Sequence, residues 1–560
     1  MTRSLFETLS PIMIVGLEGP RLGRRERALL AKAPPAGIIL FSRNVEDARQ
    51  LRRLTGELEK VFIGAQGMPP IVAADHEGGV VSVLADAIGT PPSQMAAGRT
   101  GDSALIELLF AETARRMLSS GVNMMLGPVA DINSEQRNPI IGTRSFGEDV
   151  ETVRRSVAAA VRGARGAGIL TCLKHFPGHG PTSADSHLTL PVLASPLERL
   201  EREDFLPFAD GFEAGAESVM IGHVVPGDRS LPASLDPAIV TDALRGRLRF
   251  TGVAMTDALE MAGVRMPAGG AGGAFPAGGA RRGGGAGGAP RALANTCMLA
   301  LGAGNDVLLL SKPVGEIADE LDAAGAAAID GREEWLAARA RVSVTRIDRL
   351  IESVALELRR PGRRSFDDTL YRRAASVSVR MLEGSGAWTA PAGRAGFKAV
   401  FWSEREMFAR PPVKAFVARI EDALGAVAGR GEGAAKPPSG AEPSAAPAEG
   451  SARRDELTLR YPGLRSTAFS FGEDSSLPEV AFLMNRNPLD AAAVRDLCSG
   501  ASAVVVAEWP YAAPLVGAGV PVIVTHGVYE SAAERVMALL IGRAVSAAAP
   551  RTKPRRPKSR

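Results

Sequence analysis

The sequence predicts an α/β protein in which a (β/α)8 TIM-type barrel is followed by a smaller α/β sandwich domain. Three observations carry this. In the first 310 residues eight short apolar or β-branched runs alternate with stretches of helical periodicity, and beyond residue 350 that rhythm changes. The chain has 560 residues, 45% of them hydrophobic, which suffices for two cores, since single cores rarely grow beyond about 250–300 residues.

The eight expected strands are 12–15, 37–41, 70–74, 123–126, 171–174, 218–221, 252–255 and 306–310. Amphipathic segments at 45–61, 103–120 and 150–167 are long enough to be crossover helices between them. Parallel strands require such crossovers, and eight β–α units close into a barrel with no free edge. The barrel is assigned to residues 1–350 and a linker to 351–365, which is basic and punctuated by Pro and Gly. The sandwich is assigned to 366–545, with strands expected at 398–402, 480–485, 503–507 and 520–525 and helices between the last three.

Two segments are low in complexity. Residues 266–292 are almost entirely Gly, Ala, Pro and Arg, and 429–453 are rich in Gly, Ala, Pro, Ser and Glu. Neither holds enough apolar surface to offset ordering entropy, so both are expected to be disordered. Residues 546–560 form a basic tail, expected to be solvated and disordered.

The formal net charge of +4 is misleading, because the last ten residues carry six Lys or Arg and no acid. The rest of the chain is close to neutral, which argues against a nucleic-acid partner. Three cysteines, Cys172, Cys297 and Cys498, have no paired spacing, so neither a disulfide framework nor a zinc ribbon is expected. No run approaches the roughly 20 apolar residues that span a bilayer, and the early apolar stretch 11–17 is too short for a signal peptide. A cytoplasmic monomer without membrane contact is the expectation.

The chemistry concentrates in the barrel half. Four of the six histidines, His175, His179, His187 and His223, lie in or just after the fifth and sixth expected strands. Barrel enzymes place their reacting groups at such strand ends. The same rule selects Asp75 and Glu77 after strand three, Asp131 and Arg144 beyond strand four, and Asp257 after strand seven. The densest string is Lys174-His175-Phe176-Pro177-Gly178-His179-Gly180, continuing to Asp185-Ser186-His187. Asp185 can accept a hydrogen bond from the His187 imidazole, which fixes the ring tautomer and favours the protonated form that a proton donor near neutral pH requires.

Competing readings exist for each signal. The alternatives for His175, His179 and His187 are histidines satisfied in a loop, or three ligands converging on Zn²⁺. The spacing is not that of a helical ligand pair, and Pro177 excludes a helix there. Asp257 ends the apolar run 252–255 as a nucleophile would, rigidly placed, but a strand-end Asp is as often a helix N-cap.

The string 174–187, with Thr256-Asp257-Ala258-Leu259-Glu260-Met261, resembles glycoside hydrolase family 3 in its β-N-acetylglucosaminidase branch. The resemblance extends to Gly37-Ile38-Ile39-Leu40-Phe41-Ser42-Arg43-Asn44-Val45, Asp75-His76-Glu77-Gly78-Gly79, Gly127-Pro128-Val129-Ala130-Asp131, Ile141-Gly142-Thr143-Arg144-Ser145-Phe146-Gly147 and Pro232-Ala233-Ser234-Leu235, covering nearly all of residues 10–312 in family order. It implies a retaining exo-hydrolase of terminal β-GlcNAc on peptidoglycan-derived or chitooligosaccharide fragments, with no metal or other cofactor. Asp257 is then the nucleophile and His187, oriented by Asp185, the general acid/base. Asp75, Arg144, Lys174 and His175 hold sugar hydroxyls, which charged donors and acceptors do through strong directional hydrogen bonds.

Three departures stand out, one being that the second domain matches the family's two-domain layout only loosely. After Gly79 the family continues with Arg and, three residues later, a second Arg that reaches the sugar, whereas this chain has Val80 and Val83. Sugar binding is therefore expected to be weaker or reshaped. The Gly-rich segment also begins only nine residues after Asp257. The rival readings are a phosphorylase on the same scaffold and, from another class, a catalytically impaired sugar-binding protein.

Overall fold

The computed structural model describes residues 3–182, 190–261, 264, 289–325, 331–357, 368–381, 398–404, 410–427, 464–469, 479–484, 489, 491–499, 501, 503–508, 510–516 and 520–541. Four expectations fall wholly or mainly outside these residues: the loop holding Asp185 and His187, both low-complexity segments and the basic tail.

Eight parallel strands form the first sheet: β1 (Met13–Gly16), β2 (Gly37–Leu40), β3 (Ile71–Ala74), β4 (Met124–Met125), β5 (Leu170–Phe176), β6 (Ser218–Ile221), β7 (Val253–Thr256) and β8 (Leu308–Pro313). They pair in sequence order, and β8 also pairs with β1. The ring closes through a parallel bridge between Met255 and Val307, where the Thr256 N–H donates to the Val307 carbonyl. Strands β1 to β7 are almost wholly buried, because side chains on one face fill the barrel and those on the other meet the surrounding helices. That double burial is why these strands read as continuous apolar runs.

The helices are fixed by their caps. Asp47, Asp102 and Asp149 each accept backbone N–H bonds from the first turn of α1 (Ala48–Gln66), α2 (Ser103–Ser119) and α3 (Val150–Gly166). An Asp carboxylate satisfies donors that the helix cannot pair internally, so α1 begins at residue 48 rather than at the expected 45. The last strand also starts later than expected, at Leu308. Asp306 is instead a buried anchor at the strand's entrance, accepting from Arg245, Arg339, Arg346 and the Ala254 N–H. Three cations around one carboxylate at that end of a barrel serve stability, since reacting groups sit at the opposite end.

Helix α4 (Glu333–Glu357) continues through 351–357, so that part of the expected linker is helical; 358–365 lie outside the described residues, and α5 (Thr369–Ser378) opens the second half. The second sheet follows, in the order β9 (Arg380–Met381), β14 (Val522–Val524), β13 (Ala503–Val506), β12 (Glu479–Leu483), β10 (Lys398–Glu404) and β11 (Leu464–Phe469). Its four inner strands are parallel and its two edges antiparallel. Period-two alternation separates its faces. Val480, Phe482, Val505 and Ile523 pack with α6 (Pro411–Val427) and α8 (Glu530–Ile541), whereas Ala481, Leu483, Val504 and Val506 pack with α7 (Ala491–Cys498). The sandwich is thus a sheet between helical layers.

The two sheets' surroundings are joined by one interface. Val80 and Ala96 of the barrel half belong to the same apolar cluster as Val413, Phe416, Phe482 and Tyr529. Around it, Thr143 Oγ1 donates to Glu508 at 2.8 Å, Asn133 donates to Tyr511 at 2.9 Å, Tyr511 donates to Glu148 at 2.7 Å, and Ser93 donates to the His526 carbonyl. This explains Val80, whose side chain is 5% exposed and serves that apolar contact. Val83 packs against the barrel core. Neither valine lines the sugar-sized cavity described below, so their effect on it is indirect; Val81 between them is the one that does.

Candidate active site

The carboxyl ends of the barrel strands surround a cavity of about 330 Å³, within the lower range of ligand pockets, roughly 300–1,000 Å³. Asp75, Arg144, Lys174, His175 and Asp257, five of the seven site residues expected from sequence, all line it. The other two, Asp185 and His187, lie outside the described residues.

Strand β3 delivers Asp75, and the chain then doubles back as a short ribbon in which 76–78 pair with 81–82. The turn needs Gly78. Its φ is +102°, and a β-carbon there would lie 2.0 Å from the Pro92 carbonyl oxygen. This ribbon aims Glu77 inward beneath the cavity floor, where its carboxylate accepts Arg144 Nε at 2.7 Å and Nη2 at 2.8 Å. Lys174 Nζ reaches both Glu77 and Asp75, at 2.5 Å each.

The four charges offset one another. Burial would push the Glu77 carboxyl up, but Arg144 and Lys174 outweigh it and hold Glu77 well below the usual carboxylate range. Burial likewise pulls the Lys174 ammonium down, and Asp75 with Glu77 more than compensate, so it is raised. Arg144 is raised by Glu77 for the same reason, against its own desolvation. A network of this kind, buried except at Asp75, holds the heads of Lys174 and Arg144 in place.

His175 is set by a second pair. Its Nδ1 lies 2.7 Å from Asp131 Oδ2, and its Nε2 faces Arg144 Nη2 at 3.4 Å. A guanidinium can only donate, so Nε2 accepts and Nδ1 carries the proton that Asp131 receives. Asp131 also takes the backbone N–H of His179 at 2.7 Å. Despite burial, the neighbouring histidines hold its carboxyl below the ordinary value. The arrangement leaves no lone pair of His175 for a metal ion without displacing Arg144, which disfavours the zinc reading. His179 lines the cavity with both ring nitrogens unpartnered among the described residues, and burial pulls its pKa down to about 4.

Asp257 follows the apolar strand β7. Its Oδ1 accepts the Ala258 N–H at 2.7 Å, and the following residues to 261 form turns rather than a helix, so the N-cap reading does not hold. Burial alone would raise its carboxyl, but His223, His175, the Ala258 N–H and Lys174 act the other way and hold it below the usual range. His223 sits behind it, donating from Nε2 to the Ala258 carbonyl at 3.0 Å and meeting Ser234 Oγ through Nδ1 at 2.7 Å. An ionised, partly exposed carboxylate facing a cavity rimmed by fixed hydrogen-bonding groups is equipped to attack an electrophilic carbon.

Sequence reasoning singled out Glu77 and Asp131 as strand-end acids without giving them a place in the site, where they orient three of its binding residues. It also missed Ile39, Phe41, Met220, Met261, Leu309 and Ser311 on the wall, and Arg410, which comes from the far half of the chain.

Comparison with known proteins points one way. The family described as Glycosyl hydrolase family 3 N terminal domain matches residues 8–350. A protein named beta-hexosaminidase from Chromobacterium violaceum is 37% identical over 269 residues, spanning 47% of this chain and 72% of that protein. A second protein of that name, from Xylella fastidiosa, is 36% identical over 261 residues, 45% of this chain and 76% of the relative. Among solved structures, a glycoside hydrolase family 3 β-N-acetylglucosaminidase from Paenibacillus sp. superposes with a TM-score of 0.73 at 25% identity, covering 97% of both chains. A β-N-acetylhexosaminidase from Beutenbergia cavernae gives 0.51 at 25% identity, covering 63% of this chain and 99% of its own.

Proposed function

The chain belongs to glycosyl hydrolase family 3, and from that premise we propose that it is a retaining exo-β-N-acetylglucosaminidase acting on peptidoglycan-derived or chitooligosaccharide fragments. The observation that carries this reading is the ionised Asp257 carboxylate facing one cavity with Asp75, Arg144, Lys174 and His175. Relatives named beta-hexosaminidase at 35–37% identity support the same substrate class.

In the first step an Asp257 oxygen bonds to the anomeric carbon while the glycosidic C–O bond breaks, and the leaving oxygen takes its proton from His187. In the second step water attacks that carbon, its proton returns to His187, and the Asp257–carbon bond breaks. Asp185 orients His187 for both transfers. Asp75 and the Lys174, Arg144 and His175 donors hold the ring hydroxyls, so that the anomeric carbon is presented to Asp257 in a reactive orientation.

The test is the stereochemistry of the first product. With 4-nitrophenyl β-N-acetylglucosaminide followed by proton NMR, the β-anomer of GlcNAc is expected before mutarotation. An α-anomer formed first contradicts the double displacement. Turnover that persists in Asp257→Ala contradicts the assignment of the nucleophile.

A further inference from the structure

Arg410 lines the barrel cavity although it belongs to the second sheet's helical layer. It immediately precedes α6, its carbonyl accepting the Lys414 N–H in the first turn. Helix α6 is held in turn by Val413 and Phe416, which are fully buried in the cluster that includes Val80. The helix packs against the 81–82 strand of the ribbon that follows Asp75, and Lys414 acts electrostatically on Asp86 beyond that ribbon. The position of Arg410 at the cavity is therefore set by an apolar contact and by charge.

Its guanidinium differs from the other two cationic groups of the cavity in one respect. Lys174 is neutralised by Asp75 and Glu77, and Arg144 by Glu77. Arg410 is half-buried and has no ion-pair or side-chain hydrogen-bond partner among the described residues. A half-buried planar fork without such a partner among the described residues favours an oxyanion, which it can meet with two parallel hydrogen bonds. The sugar ring of a neutral exo-substrate carries no such group. A leaving group can.

We propose that Arg410, delivered by the second domain, is a specificity-determining residue that binds a carboxylate on the leaving-group side of the saccharide. The inference rests on the glycosidase reading above and deepens it, making the barrel pocket incomplete for acidic substrates without the second domain. The oxyanion chemistry would be shared by a free phosphate, and the experiment separates the two sources.

The full-length protein is assayed on 4-carboxyphenyl β-N-acetylglucosaminide and on its neutral methyl ester, as wild type, Arg410→Ala and Arg410→Lys. The ratio of kcat/KM for acid over ester is the readout, because it is independent of the fraction of enzyme that is folded. The expected result is a ratio at least tenfold lower in Arg410→Ala, with Arg410→Lys between the two, since an ammonium keeps the charge but loses the fork. If the site takes phosphate instead, the ratio stays constant while inorganic phosphate alters wild-type turnover of the ester and leaves Arg410→Ala unaffected; that retains the oxyanion site and reassigns its source. An unchanged ratio with no differential phosphate response overturns the inference. Wild-type turnover of the ester confirms the glycosidase reading separately, and its absence would overturn both.

Discussion

The Glu77 carboxylate receives Arg144 side-on, Nε at 2.7 Å and Nη2 at 2.8 Å, from residues 67 positions apart. Both side chains are more than nine-tenths buried, and the same carboxylate also holds Lys174. These two cavity-lining cations are therefore not independent surface groups but two arms of one buried anion.

Removing that anion leaves two cations desolvated with one fewer counter-charge. Glu77→Ala is expected to cost about 3–5 kcal/mol of unfolding free energy, the range for breaking a buried pair by deleting one partner. Urea denaturation measures it. A loss below about 1 kcal/mol would mean that Lys174 and Arg144 are solvated in the folded protein.

Asp131 fixes the His175 tautomer. In Asp131→Asn the amide nitrogen can donate to Nδ1, which moves the imidazole proton to Nε2 and points it at the Arg144 guanidinium, donor against donor. A hydrogen bond to a charged group contributes about 1.5–3 kcal/mol, so a drop of roughly 10–100-fold in kcat/KM is expected, dominated by KM. The thermal midpoint measured in parallel reports any cost from the backbone bonds that Asp131 also accepts. Unchanged kinetics would remove His175 from the sugar-binding role.

Asp204 packs beneath Gly178 of the loop after β5. Burial first, then the Asp131 and Glu203 charges, raise its carboxyl to about 7 from an ordinary 3.8. The native state thus keeps a proton that the unfolded chain releases. The associated stabilisation is fully present below the unfolded value, near pH 3.8, and is lost as pH rises through about 7. Asp204→Asn does not titrate, so its thermal midpoint minus that of the wild type should become more positive between pH 5 and pH 8, by several degrees for roughly 1–3 kcal/mol. A pH-independent difference contradicts the raised value.

Much of this architecture was legible because it is written locally. Each barrel strand is a run of apolar residues buried on both sides, and strand 218–221 is observed within the same bounds as expected. The Lys174-His175 pair and Asp257 stood out because each ends such a run. The roles of Glu77 and Asp131 were not legible, since they depend on residues 44 to 97 positions away brought together only by barrel closure. Arg410 carries no local signal at all; only the packing of Val413 and Phe416 against Val80 brings it to the cavity. Strand β9 was missed because two residues are too short to show a period, and β11 because Leu464–Phe469, with the polar run Arg465-Ser466-Thr467, shows neither alternation nor a continuous apolar run.

The measurement that bears most directly on the account is covalent trapping. The protein is incubated with a fluorinated slow substrate bearing an activated leaving group, digested, and analysed by mass spectrometry. The account predicts one glycosyl adduct, on the carboxylate of Asp257, and its loss in Asp257→Ala. An adduct on any other residue, or wild-type turnover with no adduct under conditions that trap it, would contradict Asp257 as the nucleophile.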